Sequence, residues 1–204
     1  MPSRNIIKID IPDSYYHIYA RGVSKSVIYR DPDDKVVFLN LLKRYLSANQ
    51  VFDKKKFLYP NYSMDIELLA FCLMDNHFHM LIYQHADGSM SGFMKSLLTS
   101  YSLYFNKKYN RTGPLFESRY KASNIDSDNY LHHISRYIHL NPKDWRNYSF
   151  SSLPYYISGH QSDWVKPKKI LDLFDTQKEY EDFVADYEDN KAMIDELKHE
   201  LASL

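Results

Sequence analysis

The stretch that most constrains this chain is residues 66–83. A near-continuous apolar run, residues 66–74, leads into Asp75-Asn76, and residues 77–83 then alternate. Two strands joined by a tight turn at or near Asp75-Asn76 is the natural reading, with one long strand as the alternative. In either case, side chains two apart point to the same face. His77 and His79 therefore project together, while Phe78, Met80 and Ile82 turn the other way into a core.

Around this pair the periodicity alternates. Residues 15–21 are aromatic and β-branched, end at Gly22, and predict a strand. Asp31-Pro32 predicts a helix start, with Phe38, Leu39, Leu42, Tyr45 and Leu46 at helical spacing behind it. Lys54-Lys55-Lys56 and Pro60-Asn61 mark a loop. After Asp87-Gly88, a stripe of Met90, Phe93, Met94, Leu97, Tyr101, Tyr104 and Phe105 predicts a core-facing helix. Gly113-Pro114 breaks the chain, and residues 118–125 read as another strand. Ser127 is a good N-cap for a helix to about Leu140, which Pro142 stops. Residues 148–204 read as loop plus two short helices. This β-α-β-β-α-β-α order predicts an α+β fold, an antiparallel sheet with helices on its faces.

Charge is uneven. Residues 1–169 hold 23 Lys and Arg against 15 Asp and Glu, a balance of +8, and residues 170–204 hold 3 against 11, a balance of −8. A basic body suits a nucleic-acid partner, although an acidic terminal helix exposed to water explains the tail equally well. Residues 95–121 concentrate Lys95, Lys107, Lys108, Arg111, Arg119 and Lys121, interleaved with Tyr101, Tyr104, Tyr109 and Tyr120. Cations neutralise phosphates and aromatic faces stack on unpaired bases. Arg119 and Lys121 are expected on one strand face. No run approaches the ~18 apolar residues of a membrane helix. The first ten residues lack a signal-peptide core, and the lone Cys72 reads as a buried small residue in a reducing cytoplasm.

The run Arg136-Tyr137-Ile138-His139-Leu140-Asn141-Pro142 carries the second cluster of chemistry. At ~100° per residue, Leu131, Ile134 and Ile138 form the core stripe, and Tyr130, His133, Tyr137 and Asn141 line its neighbour. Asn141 is one turn beyond Tyr137, at a terminus where its amide oxygen can aim at an ion. Among 19 tyrosines, this position alone does not set Tyr137 apart from a packing residue. Nor is an isolated His-x-His triplet more than a weak sign of a metal.

Four ordered blocks carry a resemblance. They are Tyr16-His17-Ile18-Tyr19-Ala20-Arg21-Gly22; Met74-Asp75-Asn76-His77-Phe78-His79-Met80-Leu81-Ile82; Arg111-Thr112-Gly113-Pro114-Leu115-Phe116-Glu117-Ser118-Arg119-Tyr120-Lys121; and Arg136 through Pro142. The Ser151-Ser152 pair follows. Over residues 15–155 the chain resembles the insertion-sequence-200-like HUH tyrosine transposases, and among them the REP-associated ones. It departs from them at Asp75, where proline is common, and at Phe78, where a branched residue is common.

The resemblance implies a ferredoxin-like antiparallel sheet with helices packed on it. It implies a catalytic domain over residues 1–155 and a helical, acidic extension over residues 156–204. His77, His79 and Asn141 match the ligands of Mg²⁺ or Mn²⁺, and Tyr137 matches the nucleophile. The implied activity is cleavage and rejoining of single-stranded or hairpin DNA through a 5′-phosphotyrosine. Arg21, Lys95, Lys107, Lys108, Arg111, Arg119, Lys121 and Arg136 are the expected DNA contacts, and pairing into a homodimer is left open. The competing readings are a DNA- or RNA-binding protein on the same fold without turnover, and a metal-dependent hydrolase, which needs no Tyr137.

Overall fold

The computed structural model describes residues 10–52, 55–125 and 128–186. Its sheet is built from β1 (Ser14–Arg21), β2 (Ile66–Met74), β3 (His77–Gln84) and β4 (Lys121–Ile125), in the order β2-β3-β1-β4. All neighbours are antiparallel. Helix α1 (Pro32–Leu46) links β1 to β2, and α2 (Ser89–Lys108) links β3 to β4. This is the ferredoxin-like α+β arrangement, and the two-strand reading of residues 66–83 holds. Past β4 come α3 (Asp128–His139), α4 (Pro154–Ile157), α5 (Lys168–Leu171) and α6 (Gln177–Ala185).

Local chemistry accounts for the helix starts. The Asp31 carboxylate accepts from Asp34 N at 3.0 Å, with Pro32 in the first turn, so one exposed amide is capped and another is absent. Thr176 caps α6 in the same way, through Glu179 N. The expected cap of α3, Ser127, and the acidic tail beyond residue 186 lie outside the described residues.

The sheet has two different faces. Tyr16, Ile18, Phe78, Met80 and Ile82 pack against Phe38, Leu42, Phe93, Leu97 and Tyr101 of α1 and α2. Leu81, Ala70, Cys72 and Ile125 pack against Leu131, Ile134 and Ile138 of α3 and Tyr180 and Val184 of α6. Burying a side chain of this size is worth about 1.5–3 kcal/mol, so both helical layers are firmly fixed to the sheet. Cys72 is buried and free.

Two expectations need correction. The last strand begins at Lys121, not at residue 118, because the chain up to Tyr120 is still crossing the edge of α2, where the Tyr120 hydroxyl meets Ser91. Residues 148–186 hold three short helices rather than two. The segment after residue 155 also contributes to both cores, Trp164 and Val165 to one and Ile170, Tyr180 and Val184 to the other. Backbone bonds from Leu73 N to Phe150 O, Ser152 N to Phe71 O and Lys166 N to Leu68 O cover the outer edge of β2, which protects it from pairing with another chain.

Candidate active site: two histidines, a tyrosine and an asparagine

The turn between β2 and β3 is held from several directions. Asp75 O accepts from Ile28 N and Tyr29 N, and Asn76 O accepts from Gly22 N at 2.9 Å. A side chain at Gly22 would place its Cβ 2.1 Å from Ser26 O, so only glycine fits this approach. Asp75 stands where the resembled family commonly has proline, and Lys35 of α1 fixes its carboxylate at 2.8 Å. The Lys35 ammonium also bonds the Tyr148 hydroxyl, which in turn donates to Leu73 O. His77 thus starts its strand from a pinned turn.

His77 and His79 share the face of the sheet that α3 covers, with ring centroids 5.0 Å apart. His77 Nδ1 is 2.6 Å from Asn76 Oδ1, and the Asn141 side chain acts on the same ring. His79 Nδ1 is 3.0 Å from His17 Nε2, a buried contact between β3 and β1. Each ring has therefore committed Nδ1 to a neighbour. Burial lowers the pKa of both, reinforced at His79 by His17, His77 and Arg21 and at His77 by Arg21. At neutral pH both are uncharged, which is the ligating form.

Tyr137 is brought to the same place. Its ring stands edge-on to His79 at 5.3 Å and to His17 at 6.1 Å. At 8% exposure it is more enclosed than a residue flanking the core would be. The helix that carries it is tethered just beyond it. His139 Nε2 meets Ser152 Oγ at 2.8 Å, and His139 Nδ1 meets the Tyr180 hydroxyl at 2.7 Å.

Among the described residues, no three His, Cys, Asp or Glu side chains converge as an ion site. An ion here would rest on His77, His79 and the amide of Asn141. These donors fit a divalent cation, because each imidazole has one ring nitrogen uncommitted to its Nδ1 partner and an amide oxygen suits hard cations.

The expected DNA contacts divide. Arg21 pairs in register with His77, and Lys121 lies opposite Tyr19 with its ammonium 5.5 Å from that ring, so both border the histidine face. Arg119 precedes β4 and does not share a strand face with Lys121; it and Lys95 line an open groove of about 850 Å³ beside α2. Lys107 is exposed. Lys108 is committed to Asp31 and Asp34, both at 2.8 Å, and Arg111 packs over Phe105. Arg136 is a correction: it is fully buried, bonded to Phe183 O and His133, and faces α6 instead of solvent. Sequence reasoning missed His17, although its polar ring at an inward position of a strand was a usable signal.

Residues 43–141 match the family model described as transposase IS200 like. No curated protein matches the chain. Among solved structures, a REP-associated tyrosine transposase bound to a REP hairpin has a similar fold, with a TM-score of 0.52 and 12% identity, over 78% of this chain and 90% of that one. The chain thus resembles the IS200-like transposases in sequence over residues 43–141, and a REP-associated tyrosine transposase in fold.

Proposed function

We propose that this chain is a DNA strand transferase, an endonuclease that cleaves and rejoins single-stranded hairpin DNA through Tyr137. The observation that carries the reading is the convergence of Tyr137 on His79, with Asn141 one turn later on His77. A binding module has no use for that combination, and a hydrolase acting through water has no use for the tyrosine.

His77, His79 and Asn141 would hold Mg²⁺ or Mn²⁺, which offsets charge on the scissile phosphate and favours the phenolate. A free phenol has a pKa near ~10, so a tyrosine needs that help to act as a nucleophile. Its oxygen attacks phosphorus in line with the 3′ oxygen. The new bond is Tyr137 O–P, the broken bond is P–O3′, and the proton lost by the phenol is balanced by one gained on the leaving hydroxyl. A 3′-hydroxyl of another strand reverses the exchange, so no nucleotide triphosphate is consumed. Arg21 and Lys121, at the border of the histidine face, fit the flanking phosphates.

The test is a denaturing gel of labelled single-stranded hairpin DNA incubated with Mn²⁺. The unsubstituted protein and Tyr130→Phe should form a stable protein–DNA adduct, and Tyr137→Phe should form none. An adduct with Tyr137→Phe, or its loss in Tyr130→Phe alone, overturns the assignment.

A further inference from the structure

We propose that His17 is a positioning residue, which accepts a hydrogen bond at Nε2 from His79 Nδ1–H and so holds the His79 ring with Nε2 turned to the ion. The inference rests on the metal reading of His77 and His79 above.

The geometry begins with strand register. Tyr19 is the direct partner of His79 and His17 of Leu81, so His17 lies diagonally across from His79 on the same face. That diagonal is within reach of long or aromatic side chains. The two rings lie within 12° of coplanar at 5.1 Å, with the facing nitrogens 3.0 Å apart. Both residues are buried, at 1% and 5% exposure, so water does not compete for the contact.

A neutral imidazole has one donor and one acceptor nitrogen. One proton lies between His79 Nδ1 and His17 Nε2. If it belongs to His17, the proton of His79 sits on Nε2, where it blocks a cation. If it belongs to His79, Nε2 carries a bare lone pair. Ligation through Nε2 therefore requires an acceptor at the other end of the ring, and His17 Nε2 is that acceptor. Its remaining nitrogen, Nδ1, has no hydrogen-bond partner among the described residues. His17 can therefore take its own proton there without breaking another bond. Asn76 Oδ1 stands in the same relation to His77 Nδ1. Partners of this kind orient a ligating ring and raise its basicity.

A packing role makes a different prediction, because phenylalanine would fill the same space. The test titrates Mn²⁺, to millimolar concentration, into the unsubstituted protein, His17→Phe and His17→Gln, reading free Mn²⁺ by electron paramagnetic resonance. His17→Phe should bind about 10–100-fold more weakly, and His17→Gln, whose amide oxygen reaches the Nε2 position, should recover most of the loss. Equal affinity for His17→Phe and the unsubstituted protein, or no recovery in His17→Gln, overturns the proposal. Should the variants not fold, nitrogen NMR of the unsubstituted Mg²⁺-bound protein decides it. A coupling across the His79 Nδ1–His17 Nε2 hydrogen bond, with the proton on His79, is expected, and its absence overturns the role. No Mn²⁺ binding by the folded unsubstituted protein would refute the metal reading itself, whereas normal binding unaffected by His17→Phe refutes only His17.

Discussion

Ser152→Ala removes one oxygen from the centre of the tether behind Tyr137. Ser152 Oγ accepts from Phe71 N at 2.8 Å and lies 2.8 Å from His139 Nε2, and neither Ser152 nor His139 has exposed surface. The substitution leaves the Phe71 amide and one His139 nitrogen buried without partners. Each such group costs about 1–3 kcal/mol, so the expected loss is roughly 2–6 kcal/mol. Ser151→Ala is the control, since the Ser151 hydroxyl oxygen accepts only from Leu153 N, at 3.1 Å, among the hydrogen bonds of the described residues, and its loss should cost about half as much, roughly 1–3 kcal/mol. At about 2–4 °C per kcal/mol for a chain of this size, Ser152→Ala should lower Tm by on the order of 10 °C. Urea denaturation should show the midpoint falling at constant slope. Adduct formation should fall as well, because α3 places Tyr137 and Asn141 through this anchor. Equal midpoints for Ser151→Ala and Ser152→Ala would refute the tether.

Two further outcomes follow from the buried charges and neutral rings. Burial holds His17 and His139 at about 3, and burial first, then neighbouring positive groups, lowers His79. Below pH ~6.5 the unfolded chain takes up protons that these folded rings refuse, so stability falls as pH drops from there toward 3, with His17 and His139 together contributing about 2–3 kcal/mol per pH unit; urea midpoints that stay flat from pH 7 to pH 5 would contradict it. Replacing Arg21 and Lys121 by Gln should reduce the slope of log affinity for single-stranded DNA against log salt by about 1.4, measured by fluorescence anisotropy, while Arg136→Met should leave that slope unchanged and lower Tm.

Much of the site was legible because it is local. The i, i+2 spacing of His77 and His79 sets a shared face whatever the sheet does, and Asn141 follows Tyr137 by four residues, just past the end of α3 at His139. The sheet class followed from the order of periodicities. What was not legible depends on register and on packing between distant segments. His17 meets His79 only because β1 pairs antiparallel with β3 in one register. Arg136 is hidden by α6, more than forty residues on, and Lys108 is drawn off by Asp31 and Asp34 of another helix. Of residues 118–120 only Tyr120 is a strand-favouring type, and its hydroxyl meets Ser91 of α2 just before β4 begins.

The donors His77, His79 and Asn141 carry no negative charge among them, and Asp75, whose field reaches His77, is already spoken for by Lys35. A dication held by such a set keeps nearly its whole charge. On the proposed function, the missing anion is the scissile phosphate, so ion and substrate each raise the other's affinity by the same factor. The cutting centre is then assembled by the strand it cuts.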